Sequence, residues 1–149
     1  MYMKKRIYSS LGYLAIAEEV TLSADLQVSE PITVVGNEEQ LYRMVSNLID
    51  NAIQATPVGG KVLAALSRSE NYAIIQVQDT GVGINPEDQR HIFDRFYRIQ
   101  GDRSRRTGGA VLGLAIVLAI VQAHQGSIHV QSQPEQGSIF TVRLPLDRK

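Results

Sequence analysis

Asp79-Thr80-Gly81-Val82-Gly83-Ile84 is the most informative stretch of this sequence, because it places a carboxylate and two nearby glycines directly after a strand-like run. Ala73, Ile75 and Val77 alternate with polar residues in that run, and the same period of two puts Asp79 on the apolar face. A buried carboxylate needs a partner, and glycines beside it let backbone approach a flat ligand. The stretch predicts a site for a heterocycle with an amino group, the plainer alternative being a turn that ends the strand.

The composition excludes several classes of protein. The chain has 149 residues, enough for one domain with its own core, and 15 Lys and Arg balance 15 Asp and Glu. This balance predicts no nucleic acid partner and no membrane contact by this domain. The absence of Cys excludes disulfides and thiolate metal sites. The longest apolar run, 111–121, is shorter than the roughly 20 residues of a membrane span, and no signal peptide is evident, so a cytoplasmic domain is expected.

Hydrophobic periodicity predicts an alternation of helices and strands. Residues 1–19 are interpreted as the tail of a preceding helix or a linker, with Ile16 in its apolar stripe, and residues 20–149 as the domain proper. Strands are expected at 20–26 and 32–35, and in hairpins that pair 61–66 with 72–79 and 127–131 with 138–144. Helices are expected from Asn37 to about 55, from 85 to about 98, and from 112 to about 124, where Gly126 ends the last one.

The helix that begins after Asn37 carries two asparagines on one face. Its buried stripe is predicted to consist of Leu41, Met44, Val45, Leu48, Ala52 and Ala55. Asn47 and Asn51 lie four residues apart, hence one above the other, although Asn is a mediocre helix former. Amide oxygens can bind Mg²⁺, and the ion would carry phosphates. The alternative, that both amides bond locally or face water, stays open at this point.

Two further features suggest a phosphate ligand and a polar core position. The run 99–109 has no apolar periodicity and is basic and rich in glycine, which fits either a solvated surface loop or a lid whose arginines meet phosphate. The apolar helix that follows favours the lid, since a glycine-containing loop at a helix N-terminus is an anion site. In the last strand Ser138 shares parity with Phe140 and Val142, so its hydroxyl is expected to point into the core, toward Asp79.

Five stretches of the sequence, in order, resemble the N, G1, F, G2 and final boxes of the catalytic, ATP-binding domain of sensor histidine kinases. They are 47–52, 79–84, 93–98, 109–114 and 137–140. The resemblance covers about residues 20 to 145 and implies an α/β fold of the Bergerat type, a two-layer sandwich with a mixed sheet packed on helices. It also implies that ATP binds between the helices and the lid.

The resemblance implies a role for each matching residue. Asp79 would receive the adenine amino group, with Ser138 nearby through water, while Gly81 and Gly83 would let the base approach. Asn51 would hold Mg²⁺ and Asn47 would support the phosphates. The remaining positions are expected to border the nucleotide or to form the phosphate-side lid and helix start: Tyr97, Arg98, Gly109, Gly113 and Leu114.

The resemblance implies a phosphotransferase of a two-component system, with ATP and Mg²⁺ as cofactors. The domain would present the γ-phosphate of Mg-ATP to a histidine on a separate dimerisation domain, and a response regulator would be a further partner. His91, His124 and His129 match no phosphoacceptor motif and are expected to be a half-exposed helix residue, a helix C-terminal cation and a strand residue, respectively. This chain alone is therefore not expected to autophosphorylate.

Two departures from the family pattern leave alternatives open. Val111 stands where the G2 box usually has glycine, and Gln54 replaces a basic residue that follows the N box. Val111 supports a second reading, a degenerate nucleotide-binding or interaction module with impaired ATP binding. A serine kinase of the anti-sigma type is a third. An ATPase of the gyrase or Hsp90 branch would need a glutamate where Asn47 stands, so hydrolysis is disfavoured.

Overall fold

A computed structural model describes residues 12, 15–27, 31–95, 97 and 114–147 of the chain. Its elements are β1 (Thr21–Leu26), α1 (Glu38–Ala55), β2 (Lys61–Arg68), β3 (Tyr72–Asp79), α2 (Pro86–Gln89), α3 (Leu114–Ala123), β4 (Ser127–Ser132) and β5 (Ser138–Pro145). The strands form one mixed sheet with helices packed on it, which confirms the predicted α/β architecture. Within the described residues, no helix is both long enough and apolar enough to cross a bilayer.

The sheet has the strand order β1-β2-β3-β5-β4, in which β1 runs parallel to β2 and the other neighbours are antiparallel. Both predicted hairpins are therefore confirmed. The register pairs Asp79 at the end of β3 with Ser138 at the start of β5, and Ser138 with Ser132 at the end of β4. Three polar side chains consequently form a row across one end of the sheet.

Helix α1 begins where the sequence predicts. The side chain of Asn37 accepts a hydrogen bond from the backbone N–H of Gln40 at 2.9 Å, which is an N-cap. The buried residues of α1 are Leu41, Met44, Val45, Leu48, Ile49, Ala52 and Ile53. The predicted stripe was thus too narrow, because Ile49 and Ile53 are also buried, and it was wrong at Ala55, which is half-buried. The buried arc widens because α1 packs on both the sheet and α3.

Three local predictions were wrong. Residues 32–35 form no strand, although the N–H of Asp147 donates to the carbonyl of Thr33 at 2.8 Å. The α-helical hydrogen bonding of α2 covers four residues, and the backbone continues through turns with bonds from 91 to 88 and from 94 to 91. Near the N-terminus Ala15 is buried, whereas Ile16 is 75% exposed. Most of the predicted first helix lies outside the described residues.

Helix α3 ends in a Schellman arrangement. Gln125 adopts φ +57°, and the N–H of Gly126 bonds to the carbonyl of Val121 at 2.9 Å. The left-handed position is therefore Gln125, while Gly126 is required by close packing, because a Cβ there would lie 2.4 Å from the carbonyl oxygen of Arg143. The sequence correctly placed the end of the helix at this glycine.

His124, at the same helix end, is buried and joins two elements. Its Nε2 accepts from the backbone N–H of Asn37 at 3.0 Å, and Nδ1 lies 2.8 Å from the carbonyl oxygen of Ile120. An acceptor Nε2 carries no proton, so the imidazole is neutral and protonated at Nδ1 in this arrangement. The expected helix-terminal cation was wrong, and His124 instead connects α3 to the N-cap of α1.

Candidate functional site

Asp79 is the buried carboxylate at the centre of the candidate site. It is 5% exposed and lies at the end of β3, on the same face as Ala73 and Val77, as the period of two predicts. The N–H of Gly81 donates to its Oδ1 at 2.8 Å. Burial raises the pKa of Asp79 to about 6, and hydrogen bonds from the backbone N–H groups of Gly81 and Ser138 offset part of that rise. No cation pairs with this carboxylate among the described residues.

Ser138 is 6% exposed and lies directly opposite Asp79, so the predicted inward orientation is confirmed. Its Oγ lies 2.7 Å from the Oγ of Ser132. Ser132 also accepts from the N–H of Ile84 at 2.7 Å and donates to the carbonyl of Gly137 at 3.1 Å. A single serine therefore ties the loop after Asp79 to the turn before Ser138.

Gln89, on the short helix α2, strengthens the same connection. Its Nε2 donates to the carbonyl oxygens of Ile84 at 2.7 Å and of Ser132 at 2.9 Å. The sequence analysis assigned no role to either Gln89 or Ser132. For Ser132 a signal was available, because it shares parity with Ile128 and Val130 and is thus a polar residue on the apolar face of β4.

The glycines of the candidate site pack closely against backbone. A Cβ on Gly81 would lie 2.5 Å from the carbonyl oxygen of Ala55, at the end of α1. Gly83 has φ +71°, and a Cβ there would lie 1.9 Å from the carbonyl oxygen of Gln133. Each glycine therefore has a packing reason within the chain, in addition to the approach of a base that the resemblance implies. The close contact of Gly81 with α1 also brings the loop that follows Asp79 to the last turn of that helix.

Asn47 and Asn51 lie on α1, and both are half-buried. Neither side chain makes a hydrogen bond within the part of the chain that the structure describes, which leaves the local-bonding alternative unsupported. Asn51 lies one helical turn before Ala55, whose carbonyl accepts from the N–H of Val82 at 3.3 Å. The amide of Asn51 is therefore available near the loop that follows Asp79, and that of Asn47 lies one further turn back along α1. Amide oxygens of this kind fit a hard cation.

Asp50, beside Asn51, is the one acidic residue in the latter half of α1. Burial raises its pKa, and the hydrogen bond with Gln54, at 3.4 Å, offsets part of the rise. Adjacent helical residues point about 100° apart, so Asp50 does not share the direction of Asn51. Gln54, the position where the resemblance leads us to expect a basic residue, contacts Asp50.

Tyr97 lies beside α2. Its hydroxyl donates to Oδ1 of Asp88, and its ring centroid lies 5.4 Å from that of His91. The hydrogen bond to Asp88 raises the pKa of Tyr97 to about 12, with burial and the charges of neighbouring acids adding to it. His91, half-exposed as expected, pairs with Asp94 at 2.9 Å.

The remaining predicted site positions divide into one described residue and three that are not. Leu114 is the first described residue of α3 and is 2% exposed. Arg98, Gly109 and Gly113 lie outside the described residues, so their predicted roles stay predictions, and Val111, the departure from the family pattern, lies outside them as well. The structure thus brings together Asp79, Gly81, Gly83 and Ser138, with the end of α1 beside them.

A cavity of about 410 Å³ opens at this end of the sheet. Asp79, Ser132, Gly137 and Ser138 line it, together with glutamines that include Gln78 and Gln131. Gln78 and Gln131 are exposed and have the opposite parity to Asp79 and Ser132, so the cavity extends around the end of the sheet toward its other face. It therefore offers open space beside the carboxylate without being confined to the face that α1 covers.

Comparison with known families decides the classification. Residues 36–148 match the model of the family described as histidine kinase-, DNA gyrase B- and HSP90-like ATPases. The chain belongs to this family. The matched range contains the whole row formed by Asp79, Ser132 and Ser138, together with α1.

Within this ATPase family, the chain is similar to several sensor histidine kinases. The chain is 56% identical over 133 residues to the sensor histidine kinase RppB of Synechocystis sp., covering 89% of this chain and 29% of RppB. Among solved structures, the mycobacterial sensor histidine kinase MprB superposes with a TM-score of 0.78 at 30% identity, covering 97% of this chain and 94% of that one. The chain is an ATP-binding catalytic domain of the sensor histidine kinase type.

A third comparison concerns assembly. Histidine kinase ThkA in complex with response regulator protein TrrA matches with a TM-score of 0.78 at 20% identity, covering 97% of this chain and 40% of that one. At this identity the likeness shows the fold alone. The chain spans less than a third of RppB, and these comparisons do not favour an anti-sigma-type serine kinase or a degenerate module.

Proposed function

We propose that this chain is the part of a two-component sensor histidine kinase that binds Mg-ATP and presents its γ-phosphate to a histidine on a separate dimerisation domain. The observation that carries the proposal is the buried pair of Asp79 and Ser138, which lie opposite each other with no cationic partner for the carboxylate among the described residues. An ionised carboxylate only accepts hydrogen bonds, so it requires a ligand that donates. The exocyclic amino group of adenine is such a donor.

The phosphate end of the nucleotide would lie along α1. The half-buried amides of Asn47 and Asn51 have no side-chain hydrogen bond within the described chain, and Asn51 is one turn from the loop that follows Asp79. Asn51 would hold Mg²⁺, which would neutralise phosphate charge, while Asn47 would support the phosphates. Tyr97, Arg98, Gly109, Gly113 and Leu114 would border the nucleotide or form its lid.

The domain boundary and the partners belong to the same proposal. Residues 20–149 would be the catalytic domain, and residues 1–19 would lead from the dimerisation and phosphoacceptor domain. A response regulator would take the phosphoryl group from that histidine. The complex of ThkA with TrrA supports this expectation by analogy of fold. Because the reaction uses ATP, a cytoplasmic location is part of the proposal.

The test is a chimaera in which this chain replaces the matching 29% of RppB. With ATP labelled at the γ-phosphate, we expect acid-labile, alkali-stable label on the protein, which is the behaviour of phosphohistidine. An Asp79→Asn chimaera should take up no label, whereas Asp25→Asn, at an exposed position on β1, should be labelled normally. A correctly folded chimaera that takes up no label, beside RppB that does, would contradict the proposal.

A further inference from the structure

Ser132 holds a central position in a hydrogen-bond network whose proton positions can be assigned. A serine hydroxyl has one proton to donate and two lone pairs that accept. The Oγ of Ser132 contacts three groups: the N–H of Ile84 at 2.7 Å, the carbonyl oxygen of Gly137 at 3.1 Å, and the Oγ of Ser138 at 2.7 Å. The backbone amide can only donate and the carbonyl can only accept. Ser132 therefore accepts from Ile84 and donates to Gly137.

The proton of Ser138 follows from this assignment. Because Ser132 has given its only proton to Gly137, the contact between the two hydroxyls is satisfied when Ser138 donates to Ser132. Ser138 then has lone pairs alone to offer a ligand. Asp79, directly opposite, has only lone pairs as well when it is ionised. Two acceptors side by side suit a donor and repel another acceptor.

We infer that Ser132 is a specificity-determining residue, which fixes Ser138 as an acceptor and so favours 6-amino purines over 6-oxo purines. The inference rests on the proposed nucleotide site and names the group by which that site selects its base. Ser132 is a positioning residue, since it acts through Ser138. Without it, the Ser138 hydroxyl is free to rotate and to donate to an oxo group.

The test compares ADP with inosine diphosphate, which carries an oxo group in place of the amino group, by isothermal titration of the full chain. Wild type should bind ADP at least about tenfold more tightly than inosine diphosphate. This factor corresponds to gaining roughly one hydrogen bond with the amino group and placing two acceptors against each other with the oxo group. In Ser132→Ala the ratio of the two dissociation constants should fall by about fivefold. Ser132→Thr keeps a hydroxyl at a strand position and should keep the ratio. In a Ser138→Ala background, Ser132→Ala should leave the ratio unchanged.

Each other outcome overturns the inference. If Ser132→Ala weakens the binding of both nucleotides by the same factor, the role of Ser132 is only structural. If wild type binds the two nucleotides equally, the selectivity does not exist, and this result needs no variant that folds. If neither nucleotide binds to wild type or to a Val111→Gly variant, the proposed nucleotide site is itself wrong. That failure is distinguishable, because it leaves no ratio to compare.

Discussion

Asp79 and Ser138 face each other across β3 and β5, and their side chains are 5% and 6% exposed. One backbone amide and one side chain hold the pair: the N–H of Gly81 donates to the carboxylate at 2.8 Å, and the Oγ of Ser132 lies 2.7 Å from the Oγ of Ser138. Among the described residues no cation lies beside this buried carboxylate, so burial makes it costly to ionise and raises its pKa. Contacts within the chain therefore stabilise the ionised carboxylate only in part, and a ligand that donates a hydrogen bond to it would stabilise it further.

Asp79 makes the stability of the ligand-free chain depend on pH. Its folded-state pKa of about 6 lies above the ordinary value of 3.8, so the folded chain binds the proton more tightly than the unfolded chain. The resulting stabilisation is fully present below pH 3.8 and is lost as the pH rises through about 6. Urea denaturation at several pH values should show a loss of about 2–3 kcal/mol over this window relative to Asp79→Asn. A difference between the two proteins that stays constant with pH would contradict the account.

Gly137 and Gly59 form a matched pair for testing close packing. Both have positive φ, +85° and +87°, but a Cβ on Gly137 would lie 2.1 Å from the carbonyl oxygen of Asp79, whereas Gly59 has open space around it. Gly59→Ala should therefore cost about 1 kcal/mol, the conformational penalty alone. Gly137→Ala should cost about 3 kcal/mol or more, because backbone must also move. Equal costs in chemical denaturation would show that the tight contact has no energetic weight.

His124 is predicted to stabilise the packing of α3 against α1. Replacing it with Ala leaves the N–H of Asn37 without its partner and removes a buried ring, so the unfolding free energy should fall by about 2–4 kcal/mol. His129, exposed on β4, is the control, and His129→Ala should change stability by less than about 0.5 kcal/mol. In nitrogen NMR spectra at neutral pH, His124 should show a protonated Nδ1 and a bare Nε2. The opposite tautomer would contradict the assigned contacts.

Asn51 and Asn47 are expected to differ in their effect on Mg²⁺. Asn51→Ala should remove most of the gain in ADP affinity that Mg²⁺ provides, while leaving affinity in EDTA nearly unchanged. Asn47→Ala should lower affinity under both conditions, since its proposed contact is with phosphate. Titrations with and without Mg²⁺ measure both effects. An Asn51→Ala protein with an undiminished Mg²⁺ dependence would show that the ion is held elsewhere.

The sequence predicted most of the elements that carry the site, because their patterns are local. Alternation along β3 placed Asp79 on the buried face, and Asn37 with Gln40 located the start of α1. The same rules failed at 32–35, a run of Ile, Thr and Val that pairs with no strand among the residues the structure describes. They also failed after Gln89, where bonds of the 3₁₀ type replace the α-helical ones.

The part of the site that sequence reasoning missed depends on contacts between distant residues. Ser132 and Gln89 lie 43 residues apart and meet only because β4 lies beside the loop that follows Asp79. Likewise, the position of His124 at the end of a helix predicts a cation there. Its contact with the N–H of Asn37, 87 residues away, requires an unprotonated Nε2 instead. Local patterns specify faces and ends of elements, whereas partners of this kind are set by the sheet order.

The measurement that tests the central claim most directly is the isothermal titration of this chain with ADP and Mg²⁺, beside Asp79→Asn and Val111→Gly. The account predicts a dissociation constant on the order of micromolar for the chain and loss of measurable binding in Asp79→Asn. It also predicts tighter binding in Val111→Gly, since the resemblance implies glycine at that position. If neither the chain nor Val111→Gly binds, or if Asp79→Asn binds as well as wild type, the nucleotide site is not where Asp79 and Ser138 meet.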